Sequence, residues 1–95
     1  MTEKQFQKQV TDFLHSQNIY YVKVWGGGFQ RAGIPDLLCC ICGKFVALEL
    51  KTEKGTPTVL QKYNIFKIQE SGGNARVLRP SEFAKFKREV MVGAI

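Results

Sequence analysis

The chain opens on an apolar stripe at Phe6, Val10, Phe13 and Leu14, spaced i, i+4, i+7, i+8, which predicts an amphipathic helix over residues 2 to about 17. Thr2 stands three residues before Gln5, the capping-box spacing, and is the expected N-cap. Asn18 marks a turn, and the pattern then changes. Residues 19–25 read as a strand. Residues 36–42 and 44–51 are short, apolar and rich in strand formers with a Gly43 turn signal between them, so they predict an antiparallel hairpin. The connection over residues 25–35 is too glycine-rich to hold itself rigid. After a turn over residues 52–55, Thr56 as N-cap and Pro57 at the first helical position predict a helix to about residue 71, closed by Gly72 and Gly73 as a left-handed cap. By residue type its buried face is Val59, Leu60, Tyr63, Phe66 and Ile68. Asn74–Leu78 reads as a fourth strand. Pro80 and Ser81 start a last helix, 82 to about 90, with Phe83 and Phe86 inward and Lys85, Lys87 and Arg88 largely outward.

This order, helix, three strands, helix, strand, helix, is the αβββαβ core of the α/β restriction-endonuclease-like folds with one extra C-terminal helix. The helix after the hairpin is long enough to cross over, which predicts a parallel pairing of the strands it joins and a right-handed connection. A mixed central sheet follows.

The hairpin carries the candidate chemistry. Residues i and i+2 share a face of a strand, so Glu49 and Lys51 project to one side, roughly 6 to 7 Å apart. Whether Asp36 joins them depends on register, because a slip of one residue moves every side chain to the opposite face. A Cys42-Gly43 turn puts Asp36 opposite Glu49, a Gly43-Lys44 turn puts it opposite Lys51, and a three-residue turn separates the carboxylates. Two carboxylates within a few ångström repel unless a proton or a cation lies between them. A hard divalent ion such as Mg2+ is the natural occupant, held by one or two carboxylates and a substrate phosphate. It would polarise a phosphoryl oxygen and lower the pKa of a water. Lys51 would position that water or offset charge building on phosphorus. The plain alternative is an ion pair near a hairpin end. Glu3 falls on the apolar stripe, either as an acid favouring the helix dipole or as a third acidic group at the site.

Glu3, the run Gly26-Gly27-Gly28 with Arg31 and Gly33, Pro35-Asp36, Glu49-Leu50-Lys51 and Gln61 together resemble the VRR-NUC domain, the virus-type replication and repair branch of the PD-(D/E)XK nucleases. The resemblance runs over residues 2 to 80. It implies a helix supplying Glu3, metal ligation by Asp36, Glu49 and the Leu50 carbonyl, Lys51 as catalytic lysine, and Gln61 as a supporting residue beside the catalytic group. It also implies cleavage of DNA to 5′-phosphate and 3′-hydroxyl ends. Stand-alone members resemble phage proteins acting as homodimers on branched DNA, and two sites related by a two-fold axis suit symmetrical cutting of a four-way Holliday junction.

Ninety-five residues, 44% of them hydrophobic, allow one domain over 1–95. A net charge of +6 favours a polyanionic partner, DNA first, although dispersed charge also serves solubility. Gln30 and Arg31 in the glycine-rich connection and Lys54 after the hairpin are the expected DNA contacts. No apolar run approaches the ~18 residues of a membrane span, so the expected setting is intracellular, host cytoplasm for a viral protein, with no membrane partner. Cys39, Cys40 and Cys42 lack disulfide or zinc spacing and are expected as small buried side chains. The apolar end, residues 90–95, either folds back on its own domain or forms a dimer contact. The expectation is a Mg2+- or Mn2+-dependent endonuclease acting on branched DNA. The rivals are a non-catalytic nucleic-acid-binding module, a sequence-specific restriction-type nuclease and a nuclease acting on RNA.

Overall fold

The computed structural model describes residues 1–25 and 32–95. Helix α1 (Glu3–Ser16) starts on the expected reciprocal box: Gln5 N–H donates to the Thr2 hydroxyl at 3.1 Å and Thr2 N–H to Gln5 Oε1 at 2.8 Å. Four strands follow in the sheet order β1-β2-β3-β4: β1 (Tyr20–Lys23), β2 (Leu37–Ile41), β3 (Lys44–Leu50) and β4 (Asn74–Leu78). Helix α2 (Val59–Glu70) lies between β3 and β4, which pair in parallel as a crossover requires, while the other pairs are antiparallel. A short 3-10 turn (Pro80–Glu82) leads into α3 (Phe83–Met91). This is the restriction-endonuclease-like αβββαβ arrangement with an added C-terminal helix. Strand β1 is shorter than the expected 19–25: its pairing with β2 runs from Tyr20 opposite Cys40 to Lys23 opposite Leu37.

The turn fixes the hairpin register. Cys42 and Gly43 both have positive φ, 52° and 76°, as a two-residue type I′ connection demands. Ile41 therefore pairs with Lys44 and Leu37 with Leu48. The even offset leaves the apolar positions in phase: Leu37, Cys39 and Ile41 join Val46, Leu48 and Leu50 in one core with Phe6, Val10 and Leu14 of α1 and Phe86 and Val90 of α3. Edge-on aromatic contacts, Phe6 and Phe13 against Phe83 at 5.7 and 6.0 Å, seat α1 on α3.

Three expectations need correction. Helix α2 is capped by Thr58 and not Thr56, because Thr58 and Gln61 form the reciprocal box (Gln61 N–H to Thr58 Oγ1 3.1 Å, Thr58 N–H to Gln61 Oε1 2.8 Å) and Pro57 stays outside it. None of its residues is fully buried, and Val59, Leu60, Tyr63 and Phe66 are exposed. The inward stripe is Gln61, Asn64, Ile65 and Ile68, spaced i, i+3, i+4, i+7, so of the expected face only Ile68 lies on it. Of the cysteines only Cys39 is buried; Cys40 alternates to the other sheet face and Cys42 sits in the exposed turn. At the chain end, Val90 and Ile95 are buried in the core and Lys44 Nζ donates to the Ile95 backbone oxygen at 2.6 Å, so these residues pack back on their own domain, while Met91 and Val92 stay exposed. Among the described residues no helix is long and apolar enough to cross a membrane.

Candidate active site

Asp36 immediately precedes β2 and Lys51 immediately follows β3, so both stand at the end of the hairpin away from its turn. Extending the register by one pair beyond Leu37 and Leu48 sets Asp36 opposite Glu49. The face they share is the one toward α2. Asp36 is pinned there: its Oδ2 accepts from the Leu50 N–H at 2.8 Å. Val24 N–H bonds the Asp36 carbonyl at 2.9 Å, tying the same residue to the edge strand.

Glu49 is the one buried charged side chain among the described residues, 1% exposed. Gln61 Nε2 donates to its Oε2 at 3.1 Å, and Lys51 Nζ lies 3.8 Å from the same oxygen. Its Oε1 has no hydrogen-bond partner. A buried carboxylate oxygen left unpaired is costly, and such a group either takes a proton or faces a cation. Burial, then the charge of Asp36 and the hydrogen bond that a proton shared with it would make, push the Glu49 carboxyl up to about 8 against an ordinary value near 4.5; Lys51 opposes this and Glu3 adds to it. The Glu3 carboxylate is thus near enough to raise Glu49 from the first turn of α1, where it remains exposed.

The first turn of α2 closes the site from the sheet's other side. Gln61 serves the cap of its helix through Oε1 and holds Glu49 through Nε2, so one side chain ties the helix start to the buried acid. Gly33, at φ +85°, brings the segment before Pro35 against the same turn; a Cβ there would lie 2.7 Å from the Leu60 carbonyl carbon, a contact only glycine allows.

Of the expected site residues, Asp36, Glu49, Leu50, Lys51 and Gln61 come together, with Glu3 alongside. Lys54 is exposed on the turn after Lys51. Gln30 and Arg31 lie outside the described residues. No three Asp, Glu, His or Cys side chains among the described residues converge as a metal centre. The hard oxygen donors on offer are the Asp36 and Glu49 carboxylates and the Leu50 carbonyl, and the unpartnered Glu49 Oε1 fits a divalent ion of the Mg2+ class, which takes few protein ligands and keeps water. Part of the positive charge is engaged within the chain: Lys8 with Asp12, Lys67 with Glu70, Arg76 with Glu89. The sequence counts Arg79 only as one more dispersed charge. Its guanidinium instead grips the backbone after Lys51, and since its acceptors are carbonyls, no residue type announces the contact.

No family model matches the chain, and no curated protein matches it. Among solved structures it is similar to Hjc, a Holliday junction resolvase from the archaeal hyperthermophile Archaeoglobus fulgidus. The TM-score is 0.61 and the identity 18%, over 80% of this chain and 66% of that one. The chain spans just under two thirds of that protein's length, and the likeness is one of fold, a mixed four-stranded sheet with its helices in the same restriction-endonuclease-like arrangement.

Proposed function

We propose that the chain is a divalent-metal-dependent endodeoxyribonuclease of the VRR-NUC type that cuts branched DNA of the Holliday-junction class, as a phage protein of replication, recombination or repair would. The observation that carries this reading is the pair Asp36 and Glu49, opposed on adjacent strands, with Glu49 buried and one of its oxygens unpartnered. A carboxylate pair in that state favours a cation, and the fold is one that the Archaeoglobus resolvase also has. Asp36, Glu49 and the Leu50 carbonyl would hold Mg2+ or Mn2+. Bound there, the ion supplies Lewis-acid polarisation of the phosphate and acidification of a water.

The chain's own groups do the rest. The Leu50 N–H fixes Asp36, and Gln61 fixes the Glu49 carboxylate that would otherwise rotate away from its neighbour. Lys51, with its side chain mostly buried beside Glu49, offers an ammonium for charge that develops on phosphate oxygens. Lys54 on the following turn, with Gln30 and Arg31, would contact the DNA backbone.

Cleavage of labelled linear duplex, flap and four-way junction DNA in Mg2+, Mn2+ or EDTA tests the proposal. Junction cutting that needs the metal is expected. Salt-sensitive binding that survives EDTA with no cutting in either metal would instead mean a binding module. Discrete cuts in linear duplex would mean a sequence-specific enzyme.

A homodimer fits the surface. Helix α2 is apolar on two sides: Ile65 and Ile68 turn toward the sheet, while Val59, Tyr63 and Phe66 are 82%, 57% and 56% exposed. Beside it a cleft of about 600 Å³ has an apolar side of Ile34, Pro35, Leu38, Phe45 and Tyr63 and a polar side of Asn64, Lys67 and Ser71. Exposed large apolar side chains grouped on one helix mark a contact surface. A second copy of the chain is the occupant that also gives two sites for two strands. Phe66→Glu is expected to convert the dimer to monomer in sedimentation velocity and to cost paired cutting of a junction. A wild-type chain that sediments as a monomer at micromolar concentration would remove the dimer.

A further inference from the structure

Lys51 immediately follows β3, and its N–H bonds the Leu78 carbonyl at the end of β4 at 3.1 Å. The next four residues make a tight turn in which Gly55 N–H bonds the Thr52 carbonyl at 3.2 Å and the Thr52 hydroxyl at 3.1 Å. Three carbonyls of this turn point at one atom: Arg79 Nη1 lies 2.6 Å from Thr52 O, 2.7 Å from Gly55 O and 3.2 Å from Glu53 O. Nη1 carries two hydrogens, so at least one is shared among these acceptors. From the other side the Glu53 carboxylate accepts the Ser81 N–H at 2.5 Å and the Ser81 hydroxyl at 2.9 Å. The turn is therefore bolted at both ends to the segment between β4 and α3.

What the turn leans on is Lys51 itself. A Cβ added at Gly55 would sit 3.4 Å from Lys51 Cδ, in van der Waals contact, and 3.2 Å from Thr52 Oγ1, so Gly55 faces the lysine stem. A lysine has four rotatable bonds and spends much rotamer entropy when fixed. The Lys51 side chain is 13% exposed, and its ammonium lies 3.8 Å from Glu49 Oε2 with Gly55 facing its stem.

We propose that Arg79 is a positioning residue that, by gripping the 52–55 turn, holds Gly55 against Lys51 and keeps the Lys51 ammonium beside Glu49. This rests on the nuclease reading for its kinetic consequence, though not for the contact itself. An ammonium displaced by about an ångström from the reacting phosphate loses much of its effect, and misplacements of that size cost up to ~100-fold in rate.

The test uses the full chain with Arg79→Met, Arg79→Lys and Gly55→Val, the last keeping the arginine while driving a branched side chain into the lysine stem. Single-turnover cutting of a four-way junction in Mg2+ is read as kcat and KM, and the two Lys51 Hε protons are followed by NMR, assigned by their loss in Lys51→Ala. In the wild type a fixed side chain keeps those protons inequivalent. Arg79→Met and Gly55→Val are expected to merge them and to lower kcat roughly 10- to 100-fold with KM little changed. Arg79→Lys, which still offers donors to the carbonyls, recovers part of the loss. A rise in KM at unchanged kcat, with the Hε protons still split, would mean that Arg79 meets DNA directly and would overturn the proposal. So would a merged signal in the wild type. A wild type that does not cut at all removes the nuclease reading, and the Hε splitting then decides the positioning role alone. Should Arg79→Met fail to fold, Gly55→Val carries the same two readouts.

Discussion

Asp36→Asn and Glu49→Gln each lower Mg2+-supported cutting of a four-way junction by about a thousandfold or more while leaving the fold intact. The amide variants are chosen because of what each carboxylate does besides facing its neighbour. Asp36 accepts the Leu50 N–H, and alanine there would orphan a backbone donor at a cost of about 1–3 kcal/mol, confusing lost folding with lost chemistry. Asparagine keeps the acceptor and removes the charge. Glutamine at 49 likewise keeps an oxygen for the Gln61 amide. On the proposed reading, what both would lose is one of two anionic ligands for a hard cation, whose charge is worth several kcal/mol to a phosphoryl transition state. At ~1.4 kcal/mol per factor of ten, that is a thousandfold or more. Junction affinity measured in EDTA at neutral pH is expected to hold or to rise for Asp36→Asn, which removes a negative charge facing a polyanion, and to hold for Glu49→Gln, whose carboxyl keeps its proton in the metal-free protein up to about pH 8. A rate within tenfold of wild type for either variant, with an unaltered circular dichroism spectrum, would take the metal-site reading away.

Much of this site is written in local sequence. The turn pair Cys42-Gly43 sets the hairpin offset through two left-handed backbone positions, and the offset alone decides that Asp36 and Glu49 face each other. The α1 box and stripe are equally local, since both depend on neighbours three to eight residues apart. What the pattern hides is long-range. Helix α2 has apolar residues on two sides, so hydrophobicity cannot say which side meets the sheet; Gln61, drawn to Glu49 from the helix's first turn, lies on the side that does. The start of α2 is misplaced because Thr56 followed by Pro57 has the pattern of a cap, while the reciprocal bond with Gln61 forms at Thr58. Arg79 spans 24 residues to reach the Gly55 carbonyl, and a carbonyl is present at every position of every chain. The DNA contacts expected at Gln30 and Arg31 lie outside the described residues, so Lys54 is the member of that set whose surroundings the structure gives.

The same pair makes the metal-free protein lose stability as pH rises. Burial and the neighbouring Asp36 push Glu49 up from near 4.5 to about 8, so between those limits the native state holds a proton that the unfolded chain has released. Fewer protons bound on unfolding means that the contribution is complete below the unfolded value and is lost progressively as pH climbs through the native one, at up to ~1.4 kcal/mol per pH unit for one group. Other carboxylates titrate too, so the quantity to read is the difference between wild type and Glu49→Gln, whose amide has no proton to lose. Urea unfolding in EDTA at pH 5, 6.5 and 8 is expected to show that difference growing in favour of glutamine, so that a variant without cutting activity is the more stable protein. Millimolar Mg2+ at pH 8 reverses the order, because a ligand that binds only the native wild type stabilises it by mass action and glutamine offers that ion one charge fewer. A constant gap from pH 5 to pH 8 would mean that Glu49 is ionised throughout, with Lys51 and Gln61 sufficient to hold it so. The unpartnered Oε1 would then need another explanation than a proton awaiting exchange for a cation.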